Sequence, residues 1–176
     1  MMSFKNKKIL ITGSTKGLGK EIVKEFDKLG SSLVIVGRSK KIISIMKKEL
    51  KNADKHLYFN VDLLNKVKVN NLINKVKIKF KKIDILIHCL GGSFGINKPL
   101  ENWKNFERSL RGNLGIAVEI NNAFIPLMQK EKSGNIIHVG SLVAHEANAS
   151  IPYVTSKASV SGYVRVMGNY LANFGI

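Results

Sequence analysis

Acidic residues are scarce in this chain: 12 Asp and Glu stand against 29 Lys and Arg, a formal net charge of +17. Such an excess suits nucleic acid, an anionic membrane surface or anionic small molecules. The lysines, however, fall on solvated helix faces. From Asn65 to Lys82, Val69, Leu72, Ile73, Val76 and Phe80 recur at helical spacing, which leaves Lys66, Lys68, Lys75, Lys77, Lys79 and Lys81 largely on other faces. An RNA-binding aromatic signature, zinc-finger spacing and a basic zipper are all missing, so no specific nucleic-acid partner is expected. Cysteine is nearly absent too. Cys89 alone cannot form an internal disulfide, and nothing points to an oxidising compartment. No run reaches the roughly 20 apolar residues of a membrane-spanning helix. The polar start, Met1 to Lys8, leads into a strand rather than a signal peptide. A cytoplasmic protein without a membrane partner is the expectation. The four histidines and Cys89 show no paired metal-ligand spacing, so no metal is expected, and His88 and His138 read as hydrogen-bonded core or pocket residues.

What is present is an alternation of strands and helices. With 44% hydrophobic residues, 176 residues suffice for one domain with a continuous core. Lys8 to Thr12 reads as a strand, and Leu18, Ile22, Phe26 and Leu29 as one face of a helix. Ser32 to Val36, His56 to Val61 and Ile83 to Cys89 read as further strands, separated by helices at Ile42 to Leu50 and Asn65 to Lys82. Beyond a glycine-rich loop at Gly91 to Gly95 come a helix near Leu100 to Leu110, a longer one near Asn113 to Lys130, a strand at Asn135 to Val139 and a last helix from about Pro152. No repeat or linker interrupts them. Helical crossovers between apolar strands imply an α/β fold, a doubly wound parallel sheet of about five strands in a single domain, 1–176. Such sheets bind ligands beyond the carboxyl ends of their strands, where the strand order reverses.

Two motifs stand at such ends. Thr12-Gly13-Ser14-Thr15-Lys16-Gly17-Leu18-Gly19 joins the first strand to the first helix. Glycines there permit positive φ and close approach of backbone N–H groups to a phosphate, beside the positive end of a helix. The spacing is TGxxxGxG, not GxGxxG, and tight turns alone also use glycine. Tyr153-Val-Thr-Ser-Lys157 follows Ser141 at the other end of the chain. Residues four apart share a helix face, which puts the Lys157 ammonium near the Tyr153 ring. A neighbouring cation favours an ionised phenol, which suits a group that gives and takes a proton. Ser141 is placed to hydrogen-bond a substrate oxygen. A serine hydrolase fits less well: His138 and His145 bracket Ser141, but the GxSxG elbow and a third acid are missing.

Together the two motifs resemble the short-chain dehydrogenase/reductase family over nearly the whole chain. The resemblance implies a catalytic group of Ser141, Tyr153 and Lys157, completed by Asn113 in Gly112-Asn113-Leu114-Gly115. It implies that Lys157 also holds the nicotinamide ribose, and that the asparagine supports a proton-relaying water chain. The implied cofactor contacts are Gly13, Ser14, Thr15, Lys16, Gly17, Leu18 and Gly19, then Asp62 with Leu63, then Leu90, Gly91 and Gly92, with Tyr153 and Lys157. The family's Asn-Asn-Ala-Gly is His88-Cys89-Leu90-Gly91 here, and a thiol is a weak hydrogen-bond partner, so the tie between this strand and its neighbours is expected to be looser. Trp103 and Phe106 read as packing residues, in a region where family helices often form a dimer surface. A small-molecule carbonyl or alcohol substrate and a homo-oligomer follow from the same resemblance.

Gly37 and Arg38 close the second strand, where NAD-binding relatives usually place an acid that accepts from the ribose hydroxyls. A guanidinium binds a 2′-phosphate instead, and Lys16 adds a second cation, so the expected cofactor is NADP(H). Family members continue past the position of Ile176 into a sixth strand, a substrate-covering loop and a seventh strand. The resemblance therefore implies a sheet lacking its last strands, with the fifth at an exposed edge. Substrate choice is expected in the Gly91 to Pro99 segment, the loop after Ser141 and that missing tail. The expected function is an NADP(H)-dependent oxidoreductase interconverting carbonyl and hydroxyl groups. A catalytically incomplete dinucleotide-binding remnant and a basic nucleic-acid-binding protein remain alternatives.

Overall fold

The computed structural model describes residues 4–98, 100–146 and 149–176. Pro99, at the end of one expected specificity segment, and positions 147–148, in the other, lie outside them. Strands β1 (Lys8–Thr12), β2 (Ser32–Gly37), β3 (Leu57–Asn60), β4 (Ile85–His88) and β5 (Asn135–His138) form one sheet in the order β3-β2-β1-β4-β5. Every pairing is parallel, from Ile9 opposite both Leu33 and Ile85 to His88 opposite His138. The helices are α1 (Gly17–Lys28), α2 (Lys40–Glu49), α3 (Lys66–Phe80), α4 (Trp103–Leu110), α5 (Ile116–Glu131) and α6 (Ile151–Ala172).

Alternate residues of each central strand enter two separate cores. Ile9, Ile11, Leu33, Ile35, Ile85 and Ile87 pack with Val23 of α1 and Met46 of α2 on one face. Leu10, Val34, Val36 and Leu86 pack with Val69, Leu72 and Val76 of α3 and with Ile120, Phe124 and Met128 of α5 on the other. Burial on both sides is what makes these strands continuous apolar runs. The side chains of Ser39, Asn65 and Asn102 accept from backbone N–H groups three residues on and so cap α2, α3 and α4.

One polar cluster ties the α1 face together. Asp27, 2% exposed, accepts from the backbone N–H groups of Lys51 and Asn52, from the Asn52 amide and from His56 Nε2. His56 Nδ1 accepts from the Leu33 N–H at 3.2 Å, so the ring is neutral with its proton on Nε2. Burial pushes the Asp27 carboxyl up, but the backbone donors of Asn52 and Lys51 outweigh it and leave the pKa below the usual carboxylate value.

The structure departs from the sequence reading in one element. The two helices expected either side of Arg111 are continuous, α4 passing through a π turn (Arg111–Gly115) into α5. The expected break falls between Leu110 and Asn113, where Gly112 is a poor helix former. Tertiary contacts hold the turn instead. At the other end of the sheet β5 is the edge strand, with Ile137 47% exposed.

Candidate active site

The order of strands reverses between β1 and β4, and a cleft of about 490 Å³ opens at their carboxyl ends. Its walls include Gly13, Thr15 and Lys16 after β1, Gly37, Arg38 and Ser39 after β2, Asp62, Leu63 and Leu64 after β3, and Cys89, Leu90, Gly91 and Phe94 after β4.

The first turn has a geometry that only glycine supplies. Gly13 has φ +65° and approaches the next loop so closely that a Cβ would lie 2.9 Å from Leu90 N. Gly17 has φ +49° with open space where a side chain would stand, a bare cradle above the start of α1. A Cβ on Gly19 would lie 2.3 Å from the Gly13 carbonyl oxygen. Unlike α2 to α4, α1 has no side chain capping its first turn, so N–H groups there are left for an anion. These residues fit a pyrophosphate. The Ser14 side chain is committed to the fold: fully buried, its Oγ accepts from Val36 N at 2.7 Å and donates to Val36 O at 3.1 Å. The Leu18 side chain is 57% exposed, and that of Leu63 belongs to the core beneath the cleft it lines.

Arg38 and Lys16 are exposed at the cleft, and among the described residues neither is in an ion pair. Asp62 spends one oxygen on Leu64 N, a local turn that aligns the loop after β3. Sequence reasoning did not pick out Ser39, Ile42, Val61, Leu64 and Cys89 as cleft residues, whereas Phe94 falls in the Gly91 to Pro99 segment expected to set substrate choice. Only position after a strand end marks most of them, and that signal is available to a reader who trusts the sheet topology.

The catalytic candidates gather at the β4–β5 end. Lys157 is 5% exposed, and its Nζ donates to Val139 O at 2.9 Å. A Cβ on Gly91 would come within 3.1 Å of that Nζ, so the ammonium stands directly over the loop after β4. Burial lowers the Lys157 pKa, opposed by Cys89. Burial raises that of Cys89, opposed by Lys157. Tyr153 lies one turn earlier on α6, half-buried, and Ser141 begins the short turn Leu142–Ala144 that packs on α6. Asn113, in the π turn, is committed to structure: Oδ1 accepts from Gly92 N at 3.0 Å, while Nδ2 donates to Gly92 O and Ser109 O.

His88 and His138 are both hydrogen-bonded, and both to Asn121. His88 Nε2 donates to Asn121 Oδ1 at 2.8 Å, and the Asn121 amide donates to His138 Nε2 and to the Tyr163 hydroxyl. Asn121 of α5 thus links the end of β4 to that of β5 through the two imidazoles. Among the described residues no group of three His, Cys, Asp or Glu side chains is placed to hold a metal ion, and no helix is long and apolar enough to cross a membrane.

Known proteins share this arrangement. The 3-oxoacyl-(acyl-carrier-protein) reductase of Rickettsia typhi is 29% identical over 177 residues, covering all of this chain and 71% of its own length. The NADPH-dependent pterin aldehyde reductase of Arabidopsis thaliana is 27% identical over 90% of this chain and 66% of its own. Among solved structures, a 7α-hydroxysteroid dehydrogenase complexed with NADH and 7-oxo glycochenodeoxycholic acid superposes with a TM-score of 0.89 at 26% identity, over 98% of this chain and 68% of that one. The family model for short chain dehydrogenases matches residues 7–176. With that match spanning the sheet, the glycine turn and the Tyr153/Lys157 helix, the chain belongs to the short chain dehydrogenase family of oxidoreductases.

Proposed function

We propose that the chain is an NADP(H)-dependent oxidoreductase that interconverts a carbonyl and a hydroxyl group on a small molecule, with Tyr153 as acid and base. The observation that carries this reading is the buried Lys157 ammonium over Gly91, one helical turn from Tyr153 and at the mouth of a glycine-lined cleft. The bound nicotinamide supplies or accepts the hydride. Gly13, Gly17 and the uncapped start of α1 receive the pyrophosphate. Lys157 donates to the ribose on that cofactor, Ser141 donates to the substrate oxygen, and Tyr153 gives or takes the proton there. Asn113, with its amide engaged by Gly92 and Ser109, acts by holding the loop.

Relatives point both ways on the dinucleotide, one named for NADPH and one solved with NADH. Preference for NADP(H) therefore rests on this chain's own Arg38 and Lys16, two cations at the cleft with no carboxylate partner among the described residues. A homo-oligomer belongs to the same reading, supported by Trp103, which is 69% exposed and stacks on Phe106 at 5.9 Å. The test is Tyr153→Phe assayed with NADPH against a panel of small aldehydes and ketones. Turnover should fall at least about a hundredfold while NADPH binding persists. NADPH binding with no turnover by the unmodified chain would favour the remnant reading, and no dinucleotide binding at all would refute both.

A further inference from the structure

Three consecutive residues of the π turn each grip a wall of the cleft. Arg111 Nε donates to Leu64 O at 2.8 Å, and its guanidinium pairs with both oxygens of Glu119, at 2.9 and 3.3 Å. Leu64 lines the cleft after β3. Gly112 supplies a notch for the ring of Phe94, since a Cβ there would lie 2.3 Å from Cε2 and Cζ. Phe94 lines the cleft after β4 and holds a left-handed backbone, φ +54°, a conformation that a bulky residue keeps only when its surroundings impose it. Asn113 clamps Gly92 from both sides. All three contacts come from successive residues of the π turn, whose i→i+5 bonding widens the helix where it passes behind the two loops.

We propose that Arg111 and Gly112 are positioning residues of the dinucleotide cleft: through the π turn they fix the spacing of the loops after β3 and β4, Arg111 by holding Leu64 and Gly112 by seating Phe94. The proposal rests on the dinucleotide-binding reading for its functional consequence, but the clamp itself can be read without a ligand. Both loops are irregular backbone, and neither is paired in the sheet at these residues. Their separation is set from the helix behind them. Pushing the Phe94 ring out of its notch sends it toward the cleft it lines, and releasing Leu64 removes the only side-chain hydrogen bond to its carbonyl among the described residues.

The test uses Arg111→Met, Gly112→Ala, Phe94→Ala and the double variant Gly112→Ala/Phe94→Ala, each checked for folding by thermal melting. NADPH affinity, followed by the fluorescence of the bound dinucleotide, should weaken about tenfold in Gly112→Ala. The double variant should bind no more weakly than Phe94→Ala alone, because the new methyl then has no ring to displace. Such a rescue is not expected of a residue that only stabilises the helix. Additive losses in the double variant, or wild-type affinity and emission in Arg111→Met, would overturn the proposal. Hydrogen exchange at the Gly92 amide separates this from the functional reading. If the unmodified chain binds no dinucleotide, that reading fails, yet faster exchange in Gly112→Ala that reverts in the double variant still supports the clamp. Unchanged exchange overturns it. Should Gly112→Ala not fold, Phe94→Ala alone must speed Gly92 exchange, and an unchanged rate there counts equally against the clamp.

Discussion

The imidazole of His88 lies against that of His138, ring centroids 4.6 Å apart, where β4 and β5 end in register. Neither ring can be charged cheaply. Burial pushes the His88 pKa down to about 3, aided by His138 and opposed by the Asn121 hydrogen bond. Burial, aided by the charge of Lys157, pushes that of His138 down to about 4. His56 is lowered in the same direction by burial, against the pull of Asp27. Each folded value lies below the unfolded reference of about 6.5, so the unfolded chain binds the additional protons as pH falls below that point. Stability should therefore be full above about pH 6.5 and decline from there toward pH 4, by up to about 1.4 kcal/mol per pH unit for each such histidine. Urea melts between pH 7.5 and 5 should show a loss equivalent to at least about one proton, and His88→Asn should make it shallower, His138 and His56 supplying the remainder. A stability profile that is flat down to pH 5 would show that these rings are not held neutral.

Asp27 makes a second buried polar unit, and its removal should cost more than that of any surface carboxylate. Four donors converge on it: Lys51 N, Asn52 N, Asn52 Nδ2 and His56 Nε2. Replacing it with alanine strands several of them, at a cost on the order of 3 to 5 kcal/mol, while Glu25→Ala on the exposed face of α1 should cost under about 0.5 kcal/mol. Chemical denaturation of the two variants checks this. Equal midpoints would mean that the donors find water instead.

How much of this could be read beforehand differs by element. Ile9 to Ile11, Leu33 to Val36 and Ile85 to Ile87 are runs without polar residues, and only a parallel sheet covered on both faces buries such runs completely. Gly13, Gly17 and Gly19 were legible because backbone geometry at a strand-to-helix turn leaves few alternatives. The continuous helix through Arg111 was not legible, since Gly112 and Asn113 look like a break until Phe94 and Gly92 are seen to need them. Nor could sequence order reveal that His88 and His138, fifty residues apart in number, become register partners once β4 and β5 lie side by side. Nor does the sequence show where the Ser14 hydroxyl goes: the residue stands inside the phosphate motif, and its hydroxyl bonds Val36 in the adjacent strand.

The glycine turn is open to a direct steric test. A Cβ at Gly19 would meet two backbone atoms of Gly13, the oxygen at 2.3 Å and the carbonyl carbon at 2.9 Å, and backbone cannot swing aside as a side chain can. Gly19→Ala should lose about 1 to 3 kcal/mol of stability to overpacking. It should also weaken NADPH binding by at least about tenfold, because Gly13 is the residue forced to move. Gly168→Ala is the control, since that glycine lies within α6, exposed, with nothing within 4 Å of the added carbon. It should be neutral or stabilise by up to about 1 kcal/mol. If both variants bind NADPH alike, the close packing of Gly19 on Gly13 does not shape the site.

The choice of dinucleotide depends on the end of β2, where space and charge act together. Gly37 cannot carry an acid, because a Cβ there would lie 2.3 Å from the Thr15 methyl group. On the proposed reading, recognition of the adenosine ribose falls on the next residue, Arg38, beside Ser39, whose hydroxyl accepts from Ile42 N at 3.3 Å to start α2. A guanidinium offers two parallel donors to a 2′-phosphate and none that a free 2′-hydroxyl requires. Charge-assisted bonds contribute about 1.5 to 3 kcal/mol each, so Arg38→Asp should cost on the order of tenfold to a hundredfold in NADPH affinity. NADH affinity should hardly fall, and it rises if the new carboxylate accepts from the ribose hydroxyls. Lys16→Ala should act in the same direction with a smaller effect, as a point charge without the planar fork. Because both cations are exposed, the preference should narrow as salt is raised from about 0.01 to 0.5 M, over which range the Debye length shrinks several-fold. Titrations of wild type and both variants with each cofactor at two ionic strengths measure all of this. A wild type that binds NADH as tightly as NADPH would overturn the assignment of Arg38.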